Sequence, residues 1–375
     1  MLKSLTINNF RCFQSFELQQ LSRVNLLVGM NNSGKTSILE AIQLLYSFHQ
    51  PGKFHKMILD RGEYFTEGDR QLDIRHLFYG REISLGSEFS IVGNNGKEQE
   101  KFIASIQTEY PNNSEQDISD NSEEFRDELE SSKKLVFILD WQNQPVKIKR
   151  NLSDYGGVYL GDSNWAILAT KLNTRVAKSI VKSQFIAPLS LNIREISKLF
   201  DEIVLTPEEN LTLEALQIIE PKIERIASIG PEKYDSNNEI VGARGGFRVK
   251  VSDQKQPIPI GSMGEGIWRI LALAIALVSA QGGVLLVDEI DTGLHFSTMS
   301  DMWKLIWKTA KKLDVQVFAT THNSDCWSSL ADVIKSEGLE SEEIKIHRIE
   351  ADKNSSVVFT EPEIVIAAKR DIEVR

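Results

Sequence analysis

The sequence predicts an α/β fold: a mixed sheet with flanking helices, and a helical lobe inserted into the chain. Three observations predict it. The short apolar runs Val24–Val28, Val284–Val287 and Val315–Ala319 read as buried strands. Helical periodicity follows the first two, at Gly34–Phe48 and Met299–Leu313. The glycine-containing stretch Gly29–Thr36 joins the first strand to its helix without a gap.

Leu2–Asn8 alternates and reads as a strand ahead of Val24–Val28. In the helix Gly34–Phe48, Ile38, Ile42 and Leu45 share one face, and Gln50-Pro51-Gly52 stops it. Asp73–Val92 reads as mixed strands with turns at Gly80 and Gly86, and Leu135–Leu139 as another strand. Between them, Glu109–Ser132 holds nine acids and one arginine. Such a stretch is a solvated loop or charged arm, with a docking surface as the sharper alternative. Trp165–Ile229 carries helical periodicity punctuated by Pro188, Pro207 and Pro221. Gly242–Ile260 reads as a hairpin in which Phe247, Val249 and Val251 alternate. Gly266–Ala280 is a strongly apolar helix, and Trp303 and Trp307 of Met299–Leu313 read as core. Ile344–Arg375 holds a strand pair and a short helix.

The chain has 375 residues, 41% of them apolar and 26% charged, which excludes a wholly disordered protein. The net charge of −10 argues against a protein that coats nucleic acid, though not against a local basic groove. Basic clusters are few: Lys147, Lys149 and Arg150, then Lys308, Lys311 and Lys312. Two cysteines make no disulfide framework and point to a reducing compartment. The start MLKSLTINNF lacks the apolar core of a signal peptide. The longest apolar run, Ile270–Val278, is well short of the ~18 residues of a membrane span. A soluble cytoplasmic protein with no membrane partner is expected.

Gly29-Met-Asn31-Asn32-Ser33-Gly34-Lys35-Thr36 fits G-x-x-x-x-G-K-[ST] in the strand-to-helix setting that this motif requires. Its backbone N–H groups, through to Ser37, cradle phosphate, and the helix start adds positive potential. Lys35 reaches the outer phosphates, and the Thr36 hydroxyl holds Mg²⁺. An acidic partner stands at the end of Val284–Val287: Asp288 binds Mg²⁺ through water, and Glu289 faces an attacking water as general base. Lys35 and Asp288 stand 253 positions apart, and no N-K-x-D guanine-reading motif occurs. A small GTPase is therefore excluded. Ser262-Met-Gly264-Glu265-Gly266 opens the apolar helix as a second anion-facing surface. One nucleotide needs one phosphate loop, so this second surface is expected to serve a nucleotide held by another subunit.

This order, ending in Thr320-Thr321-His322, resembles the ABC-type ATPase heads of the SMC, RecF and OLD (overcoming lysogenization defect) group. The opening Asn9-Phe10-Arg11-Cys12-Phe13 is similar to that group's N-F-R-x-F, and VLLVDEIDTGLH at Val284–His295 to the OLD Walker B and D-loop. More narrowly, the chain resembles small stand-alone prokaryotic AAA/ABC-type ATPases related to OLD heads. The resemblance is dense over about residues 1–50 and 245–330.

It implies ATP and Mg²⁺ as cofactors and an ABC-type P-loop ATPase head. Ser262 and Gly264 would be signature contacts made in trans, Asp291–His295 the D-loop, and His322 the switch histidine at the γ-phosphate. Arg11 is a nucleotide contact or a surface ion pair. Gln71 and Gln184 are the alternatives for the Q-loop glutamine. Met263 and Glu265 depart from the transporter signature. The expected division is one head over 1–375, with lobe I at about 1–108 and 284–375 and the insert at about 109–283. Only 53 residues follow His322, so no Toprim nuclease domain is expected there.

The function expected from the resemblance is a Mg²⁺-dependent regulatory ATPase in prokaryotic anti-phage defence. It would form a homodimer or higher homo-oligomer through ATP and control a separate effector protein, a nuclease being one option. Nucleic acid is a compatible partner but not a required one. The alternatives are a RecF-like DNA-binding repair ATPase and a non-hydrolysing ATP sensor.

Overall fold

Val24–Val28 is buried at every residue, as a strand with neighbours on both sides and both faces must be. Its one polar member, Asn25, is satisfied locally. Its amide donates to the Ser22 and Val317 carbonyls, and its oxygen accepts from the Ser22 N–H at 2.8 Å. The computed structural model describes residues 1–48, 50–65, 71–109, 134–142, 146–153, 155–159, 181–187, 193–229, 246–339 and 343–374. The acidic stretch beyond Glu109 and positions 165–180 of the expected helical segment lie outside them.

The described chain forms two compact units. The first comprises Met1–Lys3, Leu18–Leu39 and Val181–Arg375. It holds a six-stranded sheet in the order Ser183–Ile186, Val284–Val287, Gln316–Thr320, Val24–Val28, Ile344–Arg348, Val357–Phe359. The first five are parallel and the last is an antiparallel edge. This is the mixed sheet that the apolar runs predict, with the expected strand pair at its far edge.

The helix Glu265–Ser279 packs against the helices Ile193–Ile203, Pro207–Gln217 and Phe296–Leu313 and against the edge strand Ser183–Ile186. Every residue from Trp268 to Ser279 is buried, and each fully buried Leu or Ile contributes roughly 1.5–3 kcal/mol. That all-round burial explains why the segment reads as apolar on every face. Trp303 is completely buried, and its indole N–H donates to the Cys326 carbonyl at 2.8 Å. A three-stranded antiparallel sheet, Ile223–Ser228, Phe247–Val251 and Ile258–Pro259, contains the expected hairpin.

The second unit comprises Ser4–Glu17 and Glu40–Ile180. Its main sheet runs Phe13–Leu18, Ser4–Phe10, Glu88–Asn94, Gln99–Glu109, Lys134–Trp141, Val146–Asn151, antiparallel from the second strand onward. Phe10, Phe78, Phe89, Phe102 and Trp141 form a run of ring contacts in its core. These units divide the chain elsewhere than near 109 and 284. The reason is sheet pairing that composition cannot reveal: Gln99–Glu109 registers against Lys134–Trp141, across the first expected boundary, and Ser183–Ile186 against Val284–Val287, across the second.

One further expectation is corrected. Trp165–Ile229 is not wholly helical, since Ser183–Ile186 and Ile223–Ser228 are strands. Both are short, and each is selected by a partner distant in sequence, Val284–Val287 and Phe247–Val251. Pro207 does not break a helix; it sits at the start of Pro207–Gln217, where its missing N–H costs nothing. No described helix is long and apolar enough to cross a membrane.

Candidate nucleotide site

Three parallel strands of the first unit end side by side, and their carboxyl ends carry the candidate residues. This is where open α/β sheets bind ligands. Val24–Val28 leads into the phosphate loop. Gly29 has φ +146°, and a side-chain Cβ there would run into the Ile349 carbonyl. Asn32 (φ +61°) and Gly34 (φ +96°) complete the turn, and the helix Lys35–Leu45 begins at once. Asn is among the few side chains that tolerate this conformation. Met30, Asn31 and Asn32 are exposed on the loop, while Ser33 and Ser37 are buried. The Ser33 hydroxyl has no hydrogen-bond partner among the described residues, which suits a loop shaped to surround oxygen-rich phosphate.

Gly29→Ala is expected to cost roughly 1–3 kcal/mol through backbone strain and to weaken nucleotide binding. Thermal melting and titration with a fluorescent ATP analogue check it. An unchanged melting temperature and affinity would rule out the close approach.

Lys35 Nζ donates to the Gly29 and Met30 carbonyls, each at 2.8 Å. Burial holds its ammonium below the ordinary lysine range, against the opposing pull of Asp288 and Glu289. The Thr36 hydroxyl faces both Asp288 oxygens, at 3.1 and 2.9 Å. The Thr320 hydroxyl, from the neighbouring strand, donates to Asp288 Oδ1 at 2.6 Å and accepts from the Glu289 N–H at 2.8 Å. Phosphate loop, acidic strand and switch strand are thus joined at one carboxylate.

A hydroxyl and a carboxylate are the hard oxygen donors that Mg²⁺ prefers. Among the described residues no group of three or more His, Cys, Asp or Glu is placed to hold a metal. In nucleotide sites Mg²⁺ usually takes most of its ligands from phosphates and water.

Glu289 adopts φ +47°, unusual for a residue with a side chain. Its Oε2 accepts from the Thr292 hydroxyl at 3.2 Å, and its Oε1 stands 3.9 Å from His322 Nδ1. His322 is exposed, just past the strand Gln316–Thr320. The structure therefore brings together Lys35, Thr36, Asp288, Glu289 and His322. Ser262 and Gly264 are exposed at the start of Glu265–Ser279, and no hydrogen bond ties them to the phosphate loop among the described residues. Gly264 has φ +99°, and Ser262 lies in a short 3₁₀ turn, so the α-helix starts at Glu265, inside the motif.

Arg11 lies in the second unit, buried, with its guanidinium paired to Glu40 and, at 2.7 Å, to Glu63. Arg61 holds Glu40 from the other side at 2.6 Å. This is the ion-pair alternative, except that the pair is buried rather than on the surface. Gln71 accepts a hydrogen bond from Ser153 in the second unit, and Gln184 lies beside Leu285 in the first sheet.

Three functional contacts were not legible as such. Thr320 reads as an ordinary β-branched strand residue. The Thr321 hydroxyl donates to Asp291 at 2.7 Å and fixes the loop after Glu289. Arg269 donates to the Asp288 and Glu289 carbonyls. A signal for Arg269 existed, because it is the one charge in the run Gly266–Ala280.

Residues 1–326 match the family described as AAA ATPase domain. The chain is 25% identical over 360 residues to a Helicobacter pylori protein named ATP/GTP phosphatase, covering 89% of each. A shorter match, 39% identical over 75 residues, is to the DNA replication and repair protein RecF of Idiomarina loihiensis; it covers 19% of this chain and 21% of that protein. Another, 31% identical over 125 residues, is to structural maintenance of chromosomes protein 6 of Saccharomyces cerevisiae, covering 28% of this chain and 11% of that one. A solved SMC head bound to the C-winged helix domain of ScpA aligns over 96% of this chain and 98% of its own, at 14% identity and a TM-score of 0.48. The RecF and chromosome-maintenance matches support an ABC-type ATPase head. Because the family match runs through the phosphate loop, the Asp288–Glu289 strand end and His322 alike, the chain belongs to the AAA ATPase domain family of ATP-hydrolysing P-loop enzymes.

Proposed function

We propose that this ATPase is a regulatory head that closes as a dimer around ATP and that Ser262 and Gly264 of one copy complete the site of the other. The observation that carries the chemistry is the joining of Thr36, Asp288, Thr320 and Glu289 within hydrogen-bonding reach, beside Lys35. Lys35 exchanges its two carbonyl partners for phosphate oxygens. Thr36 and Asp288 are the residues that would hold Mg²⁺, which would neutralise charge on the phosphates. Glu289 takes a proton from water as its oxygen attacks the γ-phosphorus and the bond to the bridging oxygen breaks. His322 reads the γ-phosphate from beside Glu289.

The absence of a guanine-reading motif favours ATP over GTP, so both nucleotides belong in the assay. Lys35→Ala removes a charge-assisted contact worth about 1.5–3 kcal/mol, or roughly ten- to a hundredfold in affinity. Phosphate release with and without Mg²⁺ tests it. Equal rates from wild type and Lys35→Ala would expose a contaminant and sink the reading.

The finer role rests on the resemblance to OLD-type heads. ATP-driven opening and closing is a two-state element that a separate effector protein can read, here in anti-phage defence. Expressing the chain with and without its genomic neighbour under phage challenge tests this; protection by the chain alone, unaffected by deleting the neighbour, would overturn it. A second reading, a RecF-like DNA-binding ATPase, is favoured by the RecF matches. Against it, the basic clusters are matched by acids: Lys147 with Asp140, Lys149 with Glu109, Lys308 with Glu337, Lys311 with Glu343 and Lys312 with Glu214. Tight, salt-sensitive DNA binding by the isolated chain would make the second reading the better one.

A further inference from the structure

Arg269 lies one turn into the helix Glu265–Ser279, directly after the Ser262–Gly264 segment, and is 1% exposed. A guanidinium removed from water persists where it is paired or hydrogen-bonded. Its Nη2 donates to the backbone carbonyls of Asp288 (3.3 Å) and Glu289 (3.0 Å). Its Nε and Nη1 are buried with no hydrogen-bond partner among the described residues. The carboxylates of Asp291, Asp288 and Glu289 favour its charge, while burial opposes it and lowers its pKa. The side chain thus reaches from the signature helix to the back of the acidic turn.

That turn needs holding. Glu289 sits at φ +47°, and a side-chain-bearing residue stays in that region only when its surroundings over-determine it. The determinants lie on two elements. The Thr320 hydroxyl, on the strand Gln316–Thr320, accepts from the Glu289 N–H. Arg269, on the helix Glu265–Ser279, donates to the Glu289 carbonyl. With both ends of the residue fixed, the direction in which its side chain leaves the backbone is fixed as well.

We propose that Arg269 is a positioning residue for ATP hydrolysis, clamping the Asp288–Glu289 backbone from the signature helix and so aiming the Glu289 carboxylate. This rests on the reading of Glu289 as the general base. Arg269 touches neither water nor nucleotide in this role; it acts through Glu289. A displacement of the first turn of its helix, such as one that follows contact of Ser262 with a nucleotide, reaches Glu289 through these two hydrogen bonds. The clamp therefore gives the outward-facing signature a physical route to the hydrolytic residue of its own chain.

The test is a double-mutant cycle on the full chain, combining Arg269→Lys with Glu289→Gln and reading kcat, KM for ATP and thermal melting. Arg269→Lys keeps the charge and a donor but loses the fork, and Arg269→Met loses both. A misaimed group costs roughly up to a hundredfold in rate. The expected result is a ten- to hundredfold fall in kcat for Arg269→Lys, with KM unchanged because the phosphate loop is untouched. Arg269→Met should fall further. In the Glu289→Gln background, followed under single-turnover conditions, Arg269→Lys should cost nothing more. Should Arg269→Lys fail to fold, Arg269→Gln, which retains an N–H donor, takes its place in the cycle.

An equal fold-loss in both backgrounds would overturn the inference while leaving Glu289 as the base. So would an unchanged kcat in a folded variant, or a rise in KM alone. If Glu289→Gln by itself leaves hydrolysis intact, the base reading falls and the positioning role falls with it.

Discussion

Glu289→Gln is expected to lower the rate of ATP hydrolysis by roughly 10²–10⁴-fold, the range that a positioned general base contributes. The amide has the size of the carboxylate and still accepts the hydrogen bond from Thr292, which reaches Glu289 Oε2 at 3.2 Å. It also leaves the Glu289 N–H on Thr320 and the Glu289 carbonyl on Arg269. Binding of ATP through Lys35 and Thr36 should therefore persist while the proton acceptor is gone. ATP then stays intact, and a head that closes around ATP accumulates as a dimer. Phosphate release and light scattering with ATP check the two halves separately. A variant that hydrolyses like wild type would remove Glu289 from the reaction.

Ser262→Arg is expected to abolish dimer closure and with it most hydrolysis, without weakening ATP binding by the monomer. Ser262 is exposed beside Gly264, which has no side chain and open space where one would lie. Lys35 has the Gly29 and Met30 carbonyls as its partners and no hydrogen bond to Ser262 among the described residues, so each monomer is expected to keep its Lys35 contacts. If the opposite copy's phosphates approach this surface, the added side chain blocks them. Titration with a fluorescent ATP analogue should match wild type, while sizing with ATP should return monomer only. Normal hydrolysis by Ser262→Arg would show that each copy works alone and end the trans-site reading.

The turn from Gly29 into the helix Lys35–Leu45 was legible because its backbone path is local. G-x-x-x-x-G-K-[ST] specifies a backbone path, and the structure shows positive φ at Gly29, Asn32 and Gly34 where the path turns. Asp288 and Glu289 were legible for a similar reason: four apolar residues followed by two acids describe a buried strand and its exit. The apolar helix was legible because every residue from Trp268 to Ser279 is buried, so composition alone betrays it.

The strand Ser183–Ile186 was not legible. Four residues carry too little periodicity, and the decision came from parallel pairing with Val284–Val287, about a hundred positions away in sequence. The roles of Thr320 and Arg269 were hidden for a related reason. A threonine in a strand and an arginine in an apolar helix are chemically ambiguous until the sheet order brings Gln316–Thr320 beside Val284–Val287 and packing sets Arg269 behind the acidic turn. By itself the sequence determined the path of the G-x-x-x-x-G-K-[ST] loop and the two carboxylates at the exit of the strand Val284–Val287, because those properties reside in contiguous residues. Only the tertiary structure decided how Glu289 is aimed, because that depends on hydrogen bonds from two elements remote in the chain.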